Sequence, residues 1–177
     1  MEVFGVAHDY AATGIPRDAG VADETVVIVA APTLLFANYL QAERELQGVP
    51  HPAHLYVLSS ASSPIEVRRS GPMTLTVTPE HGFLYTPLEQ HYRGAATMAL
   101  GERVELSAMT AIVEARGADG RPASVKFSFG GDKGRYRFVK WDSGRFVPFE
   151  LPAEGESVTL PEEDFGKILA HAAFRSI

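Results

Sequence analysis

The sequence predicts an α+β fold: a β-α-β lobe extended by antiparallel strands, followed by a β-sandwich or small barrel and a C-terminal helix. Three observations predict it. Thr25-Val-Val-Ile-Val29 is a continuous β-branched run, the pattern of a strand covered on both faces. A helix-spaced segment separates it from a second apolar strand. From residue 64 onward, apolar and polar residues alternate with period two between Gly, Pro and Asp turns.

Residues 1–24 mix small residues, Pro, Gly and charges without periodicity and read as an irregular lead-in. After the Thr25–Val29 strand, Ala30-Ala-Pro-Thr33 opens a helix, because Pro is tolerated in a first turn where its missing N–H has no partner to lose. Leu35, Tyr39, Ala42 and Leu46 keep helical spacing up to Gly48, and Pro50 lies just beyond that stop. His54-Leu-Tyr-Val-Leu-Ser59 then returns as a strand, so residues 25–59 form one β-α-β unit with parallel strands.

Pro64–Arg69 and Met73–Thr78, separated by Ser70-Gly-Pro72, make an antiparallel hairpin. Segment 79–101, punctuated by Pro79, Gly82, Pro87, Gly94 and Gly101, reads as a long ordered loop with one helical turn. Strands follow at Arg103–Leu106, Met109–Arg116, Ala123–Phe129, Tyr136–Trp141, Arg145–Glu150 and Ser157–Leu160. Gly117–Gly120 and Asp142-Ser-Gly144 supply hairpin turns, since Asp and Gly tolerate the positive φ such turns use. Pro161–Phe174 has acidic residues in its first turn and apolar residues at helical spacing, which predicts a closing helix. The expected organisation is the 1–24 lead-in and one domain over 25–177, with a lobe at 25–101, a β-rich lobe at 102–160 and the helix at 161–177.

Bulk properties exclude several functions. The net charge of −6 provides no positive field for nucleic acid, so no nucleic-acid partner is expected. With no cysteine there is no disulfide, thiolate nucleophile or cysteine zinc site. The apolar stretch Thr25–Leu40 is shorter than the roughly 20 residues a bilayer requires and is split by Pro32, so no transmembrane segment is expected. The start MEVFGVAHDYAAT lacks the basic and apolar regions of a signal peptide, and an exported location would need sequence outside this chain.

Candidate site residues are few. Ala30–Thr33 would form the crevice at the carboxyl end of a parallel strand, where open α/β sheets bind ligands. Thr33 there is either a ligand contact or a helix cap, and Ser59 and Ser60 offer hydroxyls at the next strand end. No G-x-G-x-x-G, Walker lysine motif or G-x-S-x-G elbow is present, and no cofactor is expected. His51-Pro-Ala-His54, alone or with His81 or His91, is a weak metal candidate, since neutral imidazole suits zinc, copper or nickel. In the 79–101 loop, Glu89 could orient His91 as a general base, and His81 is a further ligand candidate. Arg68, Arg69 and Arg103, and the series Lys133, Arg135, Arg137 and Lys140, are basic clusters on predicted strands, read either as a polyanion or lipid-headgroup patch or as charged edge protection.

The run Thr25–Thr33, Tyr39-Leu40, the Ser59-Ser60 strand end, Ile65–Arg68, Thr74–Pro79 and Gly82–Leu84 resembles a soluble module at the C-terminal ends of large, uncharacterised multi-pass bacterial membrane proteins. Val104–Thr110, Asp119–Ala123 and Trp141–Phe149 continue the likeness, which covers about residues 25–160. Ala30 stands where that pattern favours Asn. The resemblance implies a domain exposed to solvent beside a membrane, with no catalytic residues to carry over. The expected function is a non-catalytic accessory or binding domain of a membrane-associated bacterial protein, with a protein or envelope component as partner. It would sit on the extracytoplasmic face if it belongs to a larger membrane protein, and in the cytoplasm otherwise. The alternatives are a small hydrolase with its site at Ala30–Thr33 facing the 81–93 loop, and a self-associating structural module.

Overall fold

The computed structural model describes residues 14–34, 40–93, 98–130 and 135–164. It is an α+β chain dominated by two sheets, one four-stranded and one six-stranded. Two compact units result.

The first unit draws its described residues from 14–62, 135–150 and 163–164. A 3-10 helix, Ala19–Asp23, leads into β1, Glu24–Ala30. The central position of β1 follows from its side chains, because every residue from Thr25 to Ala30 is buried and a near-continuous apolar run suits a strand covered on both faces. It pairs in parallel with β2, His54–Val57, on one side and with β8, Arg135–Asp142, on the other. β9, Arg145–Pro148, adds antiparallel to β8 through the Ser143-Gly144 turn, where both residues have positive φ as a two-residue turn of this hand requires. The core of one face gathers Ile15, Val21, Val26, Ile28, Leu40, Val139, Trp141 and Phe146.

Helix α1, Leu40–Leu46, closes the β-α-β connection. Its inner face differs from the expected one. Leu40, Glu43 and Arg44 are buried, whereas Ala42 is exposed and Leu46 is 89% exposed. Arg44 replaces the expected apolar contact by donating to the carbonyls of Ile15, Pro16 and Pro50 at 2.8, 2.6 and 3.2 Å. Leu35 and Tyr39, the rest of the expected apolar set, lie outside the described residues.

The second unit draws its described residues from 63–130 and 151–162. Its sheet runs in the order β10 (Ser157–Leu160), β3 (Ile65–Gly71), β4 (Thr74–Pro79), β7 (Pro122–Phe129), β6 (Met109–Arg116), β5 (Arg103–Glu105), all antiparallel. Period-two alternation sorts the faces. Ile65, Val67, Leu75, Val77, Met109, Val113, Val125, Phe127 and Phe129 are buried on one side, and the residues between them, mostly polar but including Ile112, face the other. Helix α2, Pro87–Arg93, is two turns long where the sequence suggested one.

Three further expectations change. The β-rich lobe is not the continuous stretch 102–160, because β8 and β9 join β1 in the first unit while the β3–β4 hairpin joins β7 in the second. The six-stranded sheet is an open one with β5 and β10 at its edges, not a closed barrel. Pro161–Asp164, the expected first turn of the closing helix, is non-helical, and the remainder of that helix lies outside the described residues.

Candidate functional site

At the carboxyl edge of β1, the ladder continues past the named strands. The Ala31 N–H donates to Ser59 O at 3.1 Å and the Ala61 N–H to Ala31 O. Thr33, Ser59 and Ser60, which follow these strand ends, are all buried. Thr33 directly precedes Leu34, which is helical, and so occupies the cap position. The Ser59 hydroxyl donates to Ser60 O at 3.0 Å, and the Ser60 and Ser62 hydroxyls lie 3.1 Å apart. These contacts are those of turn residues.

Parallel pairing of β1 with β8 adds groups that the sequence did not place there. Lys140 pairs with Ala30, and the Glu163 N–H donates to Ala61 O at 2.8 Å. Glu163 has its carboxyl pKa raised, first by burial and then by the negative charge of Asp142, with Lys140 opposing. The folded chain therefore holds this proton more tightly than the unfolded chain. Its contribution to stability is fullest below the unfolded value, about 4.3, and is lost as pH rises through the folded value. Glu163→Gln is expected to match the parent near pH 4 and to melt at higher temperature than it near pH 7, as read by the fluorescence of Trp141. A gain that is the same at both pH values would place the effect elsewhere.

The remaining candidates are distributed between the two units. Ala30–Thr33 belongs to the first unit and 81–93 to the second. Glu89 is buried and accepts from the Thr86 N–H at 2.9 Å, while its own N–H donates to the Thr86 hydroxyl at 3.3 Å. This is a capping box with Pro87 at the first helical position. His91 stands two residues later on the same helix, where side chains point to different sides. His51 is exposed with Nδ1 3.1 Å from Pro52 O, and His54 stacks on Tyr56 at 6.0 Å in β2. Among the described residues, no group of three or more His, Asp or Glu could hold a metal.

His81 lies in the second unit against Tyr85, ring centroids 4.6 Å apart. Arg121 ties this turn down, donating to His81 O and Phe83 O at 3.0 and 2.9 Å while stacking over Tyr85 and pairing with Asp119. The backbone N–H and guanidinium of Arg121 hold the Asp119 carboxyl below its ordinary pKa. The cleft of about 260 Å³ here, lined by Glu80, His81, Tyr85 and Asp119 among others, is thus framed by a structural clasp.

The larger concavity was not singled out from the sequence. On the polar face of the six-stranded sheet a trough of about 670 Å³ is lined by Arg68, Ser70, Thr74, Thr76, Lys126 and Ser128, with Glu114 and Glu154 at its sides. The register sets Arg68, Thr76 and Lys126 in one row across β3, β4 and β7, with Thr74 and Ser128 in the next. Lys126 pairs with Glu114 at 2.7 Å, and the Thr76 hydroxyl donates to the same carboxylate at 3.1 Å. The Arg68 side chain is exposed and makes no hydrogen bond or ion pair among the described residues. The signal was in the alternation Arg68-x-Ser70 and Thr74-x-Thr76-x-Thr78 of the expected hairpin, but only the strand order shows that Lys126 and Ser128 of β7 adjoin it.

Of the other basic residues, Arg137 forms a bidentate pair with Glu24 at 2.6 and 2.7 Å, and this bonding raises its pKa. Arg69 donates to the carbonyls of Gly71, Pro72 and Pro152. Both are structural ties, and Lys133 lies outside the described residues. No family model, curated protein or solved structure matches the chain. No helix among the described residues is long and apolar enough to cross a membrane.

Proposed function

We propose that this chain is a non-catalytic binding domain of a membrane-associated bacterial protein, and that its ligand is a polyhydroxylated envelope component held on the polar face of the six-stranded sheet. The observation that carries the reading is the trough at Arg68, Thr76, Lys126 and Ser128. Its two cations are balanced by Glu114 and Glu154, which suits a neutral, hydroxyl-rich chain better than a polyphosphate. Side-chain hydroxyls, carboxylates and a free guanidinium supply both donors and acceptors, the requirement for recognising sugar hydroxyls. The sequence resemblance to membrane-protein modules supports the location.

The test is binding of the purified chain to fractionated envelope polysaccharide by calorimetry, beside the variants Arg68→Ala and Lys126→Met. A charge-assisted hydrogen bond is worth about 1.5–3 kcal/mol, so each variant is expected to weaken binding about tenfold or more. Parent and variants binding equally would remove the trough from the reading. A native product near 19 kDa that does not sediment with membranes would remove the membrane association.

A further inference from the structure

The edge strand β5 carries a self-complementary pattern. Leu106 N–H donates to Met109 O and Val113 N–H to Glu102 O, and with the register Val104↔Ala111 this makes 102, 104 and 106 the residues whose peptide groups face β6. Alternation along an antiparallel ladder then turns the N–H and C=O groups of Arg103 and Glu105 outward. Outside the β5–β6 ladder neither residue's backbone has a partner among the described residues. Their side chains share the polar face, are 54% and 70% exposed, and bridge each other at 2.8 Å. On the opposite face of the same edge, Val104 is half-buried and Leu106 is 46% exposed.

We infer that β5 pairs with β5 of a second copy of this chain, antiparallel about a two-fold axis through Val104. In that register Arg103 of one copy lies opposite Glu105 of the other, and they exchange both backbone hydrogen bonds. Each ion pair within a strand is thereby traded for one across the interface, and the same pairing repeats on the other side of the axis. The two Val104 side chains meet at the close, non-hydrogen-bonded position, with Leu106 diagonal to the opposing Val104. Any other partner would need the same alternating charges in reverse, whereas a second copy presents them by symmetry. The axis runs perpendicular to the sheet, so the two polar faces lie on one side and form a continuous surface, which would let both troughs engage one polymer.

A three-residue edge buries far less than the roughly 1,200–2,000 Å² of a tight dimer, so the association belongs to the weak class. Sedimentation velocity across about 5–500 μM, a range matched to weak association, tests it. The parent is expected to shift from monomer toward dimer. Arg103→Glu and Glu105→Arg each set like charges opposite one another and should weaken dimerisation about tenfold or more. Mixing the R103E chain with the E105R chain restores opposite charges and should regenerate a dimer. The R103E/E105R double variant should dimerise like the parent. A parent that stays monomeric throughout overturns the inference, as does a dimer insensitive to either reversal or a mixture that fails to associate. The mass measurement involves no ligand, so its outcome is independent of the polysaccharide reading.

Discussion

Arg44→Ala is expected to lower the unfolding free energy by about 3–5 kcal/mol, with Arg44→Met costing less because it keeps most of the volume. The guanidinium is almost fully buried, and it binds three carbonyls that belong to two different segments, residues 15–16 and Pro50. Truncation leaves those carbonyls short of a donor and opens a cavity beneath α1. The cost of burying the charge works in the opposite direction. Desolvation lowers the Arg44 pKa first, Arg17 lowers it further, and Glu43 opposes them; the Arg44 Nε has no partner among the described residues. Urea unfolding followed by Trp141, the only tryptophan in the chain and part of this core, measures the balance. A loss under about 1 kcal/mol would mean that desolvation nearly cancels the three bonds.

What the sequence revealed was what depends on neighbours in the chain. β1, the β3–β4 hairpin, β6 and β10 follow from β-branched runs and period-two alternation, and they fall within a residue or two of expectation. Thr86-Pro-Leu-Glu89 was equally legible as a capping box, although Glu89 was read there as an orienter for His91. What was hidden depends on pairing across long separations. Nothing local in Tyr136–Trp141 says that it lies beside β1 rather than β7, yet that choice places Lys140 at the carboxyl edge near Glu163 and moves β8 and β9 into the first unit. The trough has the same origin, because Arg68, Thr76 and Lys126 each look like an ordinary outward-facing strand residue until the order β3-β4-β7 sets them side by side. Arg44 defeats the rule that charges face water, since its partners are backbone carbonyls that carry no sequence signature.

The same hidden pairing gives residues 14–16 a structural role. Gly14 has φ +96°, and a Cβ built there would lie 1.9 Å from the backbone oxygen of Phe146 in β9. Gly14→Ala therefore incurs both left-handed backbone strain and a clash with backbone that cannot rotate away, and it is expected to cost about 2–5 kcal/mol. Relief requires residues 14–16 to lift. Ile15 is part of the core, and the carbonyls of Ile15 and Pro16 are acceptors for Arg44, so lifting the segment also breaks the Arg44 contacts. The two substitutions then remove overlapping interactions. Gly14→Ala/Arg44→Ala should cost less than the sum of the single changes by about 1–2 kcal/mol, a coupling typical of residues sharing partners. Strict additivity would show that β9, rather than the 14–16 segment, yields to the added methyl group.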